Sequence, residues 1–167
     1  VMREGIASTR LGLPGMPAAA ESVCVARDVQ IAELTGARLH IAHLSAKASL
    51  DQVRYAKQNG LRVTCEVTPH HFTLIDEDVT YDSRYKMNPP LGARADREAL
   101  WQGLADSTVD VIATDHAPHE PAIKDVEFDK SPFGIMGFET AMGLALEQLV
   151  HTGKLPLMRM VELFTTG

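Results

Sequence analysis

The stretch VDVIATDHAPH, from Val109 to His119, decides the fold. Its first half, Val109 to Thr114, is a short apolar, β-branched run of the kind that forms a buried strand in a parallel sheet. Its second half sets Asp115, His116 and His119 directly after that strand, with Pro118 stiffening the turn. In parallel α/β architectures chemistry collects at the C-terminal ends of the strands. A carboxylate emerging there is costly to keep charged in a dry interior unless it is paired or bound to a metal. Flanking imidazoles add the capacity to bind metal and move protons. The plainer alternative is that Asp115 caps the following turn and the histidines lie on the surface.

Working outward, helices and strands alternate. Val25, Val29 and Ala32 recur at helical spacing behind Glu21, and Gly36 is placed to stop that helix. ARLHIAHLS (37–45) is a strand candidate, and ASLDQVRYAKQNG (48–60) a helix with Leu50, Val53 and Ala56 on one face. LRVTCEVTP (61–69) is a second strand, ended by Pro69. Residues 70–94 are expected to be irregular, because Asn88-Pro89-Pro90 cannot sit inside a helix. Asp96 is the expected N-cap of a helix to Ala105, and VDVIAT is the cleanest strand. A loop over 116–137 then leads into a helix from Glu139 to His151, with Met142, Leu146 and Leu149 on its apolar side. Strict alternation implies right-handed βαβ units and a parallel sheet. No GxGxxG supports a dinucleotide-binding sheet. A whole (β/α) barrel takes ~250 residues, so these 167 would hold about half of one.

The three strands end at His43-Leu44-Ser45, at Thr68-Pro69-His70-His71, and at Thr114-Asp115-His116. A single His at a strand end, such as His43, is more often structural than a ligand. His70 and His71 would point to opposite faces of an extended strand, so one is expected packed and the other exposed. With 45% hydrophobic and 23% charged residues the composition is that of a globular protein able to bury a core. The net charge of -6 and scattered Lys and Arg give no nucleic-acid footprint. Cys24 and Cys65 lack any finger or disulfide spacing. No stretch approaches the ~20 apolar residues of a membrane span, and a cytoplasmic location is expected. Val1 and the closing VELFTTG suggest that both ends are cut from a longer chain.

Taken together, HIAHLS (40–45), TCEVTPHHF (64–72), KMNPPL (86–91), ATDHAPH (113–119) and SPFGIMGFET (131–140), with STRLGLPGMPAAAE (8–21) before them, resemble the second half of the class I bacterial dihydroorotases. The resemblance implies the C-terminal half of a (β/α)8 TIM-type barrel of the amidohydrolase kind, spanning 1–167 and lacking the N-terminal strands. It implies a zinc centre of one or two ions, with His43 and Asp115 as metal ligands and Asp115 also as the catalytic proton shuttle. It implies substrate contacts from Asn88, His119, Phe133 and Gly134, and none from the TPHHF histidines as ligands. The implied reaction is reversible hydrolysis of dihydroorotate to N-carbamoyl-aspartate in pyrimidine biosynthesis. The family's remaining ligands would lie before Val1, so this chain alone is expected to be inactive. Implied partners are the small-molecule substrate and a homo-oligomer or aspartate transcarbamoylase. A hydantoinase- or allantoinase-type cyclic amidohydrolase and a non-catalytic structural partner of aspartate transcarbamoylase stay open as alternatives. Gly92 departs from the family, where Arg commonly follows NPPL; it reads as loop variation.

Overall fold

The computed structural model describes residues 1–166. At its centre lie three parallel strands, β3 (Leu39–Ile41), β4 (Val63–Val67) and β5 (Val111–Ile112), in the order β3-β4-β5. The register sets Ile41 beside Cys65 and Val67 beside Ile112. Two further short strands, β1 (Met2–Arg3) and β2 (Gly15–Met16), pair in parallel around helix α1 (Ile6–Leu11). The connecting helices are α2 (Ala19–Thr35), α3 (Lys47–Gln58), α4 (Pro69–Thr73), α5 (Arg94–Ala105) and α6 (Pro121–Lys124). They are followed by α7 (Ala141–Ala145), which continues into a π-helical turn (Leu146–Val150), and by α8 (Leu157–Thr165).

The sheet has two unlike faces. Val63, Cys65 and Val67 alternate inward with Ile41 and Ile112. They pack against Val25 and Val29 of α2, Leu50 and Val53 of α3, Leu100 and Leu104 of α5, and Met160 and Leu163 of α8. Each such Leu contributes about 1.5–3 kcal/mol by leaving water, so this layer holds the fold. The other face is polar: the His40 ring bonds the Thr64 hydroxyl (2.8 Å) and the Glu66 carboxylate (3.1 Å). The strands are therefore buried on one face, not on both as their apolar runs predict. A smaller cluster of Met2, Ala7, Val79, Met87, Leu91 and Phe128 closes over β1 and β2.

Several expectations need correction. VDVIAT pairs over two residues only, because β5 has β4 on one side and no second neighbour among the described residues. Residues 70–94 are not uniformly irregular: Thr68 caps α4, its Oγ1 accepting from the His71 N–H at 3.3 Å. Ala93, not Asp96, is the N-cap of α5; Asp96 reaches back from the first turn to accept the Ala93 N–H at 2.9 Å. Met142 of α7 is about half exposed while Leu149 of the π-helical turn is fully buried, so the apolar side of this helical stretch is narrower than its sequence suggests. Helix α8, with Met160 and Leu163 in the core, was not foreseen. Among the described residues no helix is long and apolar enough to cross a membrane.

Candidate functional site

The decisive stretch contains two aspartates with opposite fates. Asp110 lies before β5, where Lys57 Nζ donates to both its oxygens at 2.7 Å and the Cys65 N–H donates at 2.8 Å. Burial, with Asp110 beside it, pushes the Cys65 thiol up to about 12. Asp115 lies past the other end of the strand, half-buried, and among the described residues nothing hydrogen-bonds its carboxylate. The capping alternative is thus not what the structure contains. Asp115 sits at φ 45, a left-handed conformation unusual for a side chain other than glycine. His43, just after β3, is the same: half-buried, φ 39, its ring without a hydrogen-bond partner among the described residues. Ser107 shares this backbone class, in the turn before β5, so strain alone does not mark a site.

The turn that carries His43 is held from three directions. The Glu21 carboxylate of α2 accepts the Ser45 and Ala46 N–H groups (3.1 and 3.0 Å) and the Ser45 hydroxyl. Buried Arg3 donates to the same hydroxyl at 2.8 Å. Asp96 of α5 accepts the Lys47 N–H at 2.8 Å, so two carboxylates from other helices cap α3. The His43 N–H itself donates to Glu66 Oε1 at 3.2 Å. Gly92 belongs to this arrangement and is not free loop variation. A Cβ there would meet Asp96 Cβ at 2.8 Å and the Ser45 carbonyl at 2.9 Å. Gly92→Ala is expected to cost about 1–3 kcal/mol through overpacking against backbone that cannot yield. Urea unfolding of the two proteins checks this, and equal midpoints would show that the turn relaxes freely.

At the end of β4 both histidines are buried, against the expectation of one exposed. The chain turns into α4 immediately after Thr68, so the two-sided alternation of a strand does not apply. His71 is satisfied by the Thr68 hydroxyl (2.7 Å) and the Pro89 carbonyl (2.9 Å). His70 Nε2 has no hydrogen-bond partner among the described residues. Burial, aided by the neighbouring His71 and His43, lowers His70 to about 2; burial lowers His71 to about 4.

Asn88 precedes a cis peptide bond to Pro89 and is exposed. The His71–Pro89 bond ties its segment to the same strand ends. His119 Nε2 donates to the Phe133 carbonyl at 2.7 Å, joining the last two expected contacts. Gly134, at φ 138, comes so close that a Cβ would lie 2.6 Å from the Ala117 carbonyl and 3.0 Å from His119 Nε2. Its N–H donates to the Lys86 carbonyl, while Lys86 Nζ donates to Asp129 O (2.8 Å) and lies 4.9 Å from the Phe133 ring centroid. Lys124 Nζ donates to Pro132 O at 2.8 Å, and burial together with Lys86 lowers its pKa. Sequence reasoning missed Arg3, Glu21, Lys86 and Lys124, since each acts on backbone or hydroxyl groups many residues away. A cavity of about 630 Å³ borders His119, Lys124 and Gly134 beside Tyr81, Arg84 and Met136; its lining does not include His43, Asn88 or Asp115.

His43 and Asp115 offer an imidazole nitrogen and a carboxylate, donors that suit a divalent transition metal. Among the described residues, however, no three His, Cys, Asp or Glu side chains converge as a metal centre needs. The residues fit a metal as part of a ligand set, not as the whole of one.

Comparison with known proteins bears directly on this. Dihydroorotase from Solibacter usitatus is 55% identical over 167 residues, 99% of this chain. Dihydroorotase from Pelotomaculum thermopropionicum is 56% identical over 165 residues, 98% of the chain. This chain is a homologue of dihydroorotase. It spans 39% of the length of each of those two dihydroorotases. No family model matches it. Among solved structures, D-hydantoinase (dihydropyrimidinase) from Thermus sp. superposes with a TM-score of 0.78 at 31% identity, over 86% of this chain and 33% of that one. Dihydropyrimidinase from Brevibacillus agri gives 0.84 at 24% identity, over 90% and 34%, a likeness of fold. The fold of this dihydroorotase homologue is accordingly part of a (β/α) barrel, with β3, β4 and β5 as consecutive barrel strands.

Proposed function

We propose that this chain supplies one side of the active site of a dihydroorotase, a cyclic amidohydrolase, and that its partial ligand set leaves it inactive by itself. The observation that carries the reading is the pair His43 and Asp115. Both have side chains without hydrogen-bond partners among the described residues, both sit on left-handed backbone, and they follow the two strands that flank β4. Identity of 55% to dihydroorotases, against 31% to a hydantoinase, favours the dihydroorotase reading over its nearest alternative.

In this reading His43 and Asp115 hold a divalent metal, zinc being the one the resemblance to dihydroorotases implies, together with ligands from the rest of the barrel. The metal would supply a water that is nucleophilic at neutral pH and would polarise the scissile carbonyl. Asp115 takes the proton from the attacking water as the oxygen bonds to the ring carbonyl carbon. It then delivers that proton to the ring nitrogen as the carbon–nitrogen bond breaks, leaving the ureido group and a carboxyl group that releases the remaining water proton to solvent to become a carboxylate. Among the described residues no donor occupies the Asp115 carboxylate, which leaves it able to act as this base. Asn88 and His119 orient the substrate, His119 suiting a substrate carboxylate, and Phe133-Gly134 line its other side. Fixing orientation in this way is worth several kcal/mol of the barrel's catalytic effect.

The test is a chimera in which this chain replaces the matching 39% of the Solibacter usitatus enzyme, assayed beside the isolated chain. The chimera should bind metal and hydrolyse dihydroorotate, with hydantoin a poor substrate, and the isolated chain should do neither. A folded, metal-loaded chimera that turns over hydantoin but not dihydroorotate would transfer the reading to the hydantoinases. One without activity on any cyclic amide would end it.

A further inference from the structure

His116 follows Asp115 but is bonded very differently. Its Nδ1 receives two consecutive backbone N–H groups, from Gly137 and Phe138, each at 3.2 Å. A ring nitrogen that accepts carries no proton, so the proton of the neutral ring is on Nε2. Neither nitrogen then has a lone pair to offer a metal, which separates His116 from His43 despite the shared strand-end position. The segment it grips runs alongside the strand end. His116 bridges Ile135 in parallel, and the Ala117 N–H donates to the Ile135 carbonyl at 3.0 Å. The Phe138 ring stands edge-on to the imidazole with centroids 6.0 Å apart. Further along the same segment, His119 holds the Phe133 carbonyl.

We propose that His116 is a positioning residue that clasps residues 133–138 to the end of β5 and so seats Phe133 and Gly134 beside the substrate; the second half rests on the dihydroorotase reading. Two adjacent N–H groups aimed at one acceptor make a concave donor pair that a single well-placed lone pair satisfies. Without that acceptor both donors must find water, and the segment keeps its attachments at Ala117, at His119 and, through the Gly134 N–H, at the Lys86 carbonyl, none of which holds Gly137 or Phe138. The clasp fixes the register: a shift by one residue would break both bonds to Nδ1 and the Ala117–Ile135 bond together.

Two substitutions separate the acceptor from the shape of the ring. His116→Phe keeps a flat ring against Phe138 and removes the acceptor, whereas His116→Asn keeps an acceptor oxygen near the place of Nδ1. Amide hydrogen exchange in this chain should show Gly137 and Phe138 exchanging at least about tenfold faster in His116→Phe, and within about threefold of the parent in His116→Asn. Exchange at Leu100 and Leu104 should stay unchanged. Unaltered protection in His116→Phe overturns the clasp, as does His116→Asn exchanging as fast as His116→Phe. Loss of protection spread into the core would make His116 a general folding residue and also overturns it. In the chimera, His116→Phe should raise KM for dihydroorotate more than it lowers kcat. If exchange rises as expected but KM does not move, the clasp stands and Phe133-Gly134 leaves the substrate site.

Discussion

Asp115→Asn in the chimera is expected to lower kcat/KM for dihydroorotate by about 10³ or more while leaving the fold intact. The size follows from the roles assigned to this carboxylate: loss of the positioned base alone is worth roughly 10²–10⁴, and loss of a charged metal donor adds to it. The intact fold follows from its surroundings. Among the described residues no N–H or hydroxyl donates to the Asp115 carboxylate, so the nearly isosteric amide breaks no hydrogen bond, and its half-buried position removes little packing. Surface-like changes of that kind stay within about 0.5 kcal/mol. Activity and stability must therefore separate, and steady-state kinetics beside urea unfolding decide the matter. Retention of more than about a tenth of the turnover would take the proton transfer away from Asp115. Equal losses of activity and stability would make it a structural carboxylate after all, like Asp110.

That contrast between Asp110 and Asp115 shows how far the sequence alone reaches. The alternation of strands and helices identifies the parallel sheet, and the rule that chemistry follows strand ends favours Asp115, whereas His43 enters as a ligand only through the resemblance to dihydroorotases. The sheet and Asp115 depend on local pattern, and local pattern is what a sequence displays. The carboxylate that holds the His43 turn, Glu21, lies 24 residues from Ser45 and reads only as a helix first-turn acid. Arg3 meets Ser45 across 42 residues, and Asp96 meets Lys47 across 49. These contacts exist because three helices converge where the strands end, a property of the packed assembly. The burial of both His70 and His71 was hidden for a different reason. The alternation of a strand ends at Thr68, before either histidine, where the chain changes period from two to a helical turn. The two-residue length of β5 was hidden too, since ladder length depends on neighbouring strands and not on the apolar run.

Acid should unfold this chain earlier than a protein of its composition ordinarily would, and the buried histidine pair sets the range. In the unfolded chain both imidazoles take up protons below their ordinary value of about 6.5. In the folded chain burial holds His71 neutral to about 4 and His70 to about 2. The unfolded state therefore binds more protons across this interval. Stability is present in full above pH 6.5 and declines as the pH falls through the gap. Each histidine contributes about 1.4 kcal/mol per pH unit, so by pH 4.5 the pair removes on the order of 5 kcal/mol. That is a large share of the 5–15 kcal/mol typical of a whole domain. His70 is the residue to replace, because its Nε2 bonds nothing, whereas replacing His71 forfeits the bonds to Thr68 and Pro89. In His70→Met the pH slope of the urea midpoint between 6.5 and 4.5 should fall to about half that of the parent. The variant should also be the more stable protein at pH 4.5. Equal slopes would mean that water reaches His70 and lets it protonate in place, and a parent whose midpoint stays level from pH 7 to 5 would mean the same for both rings.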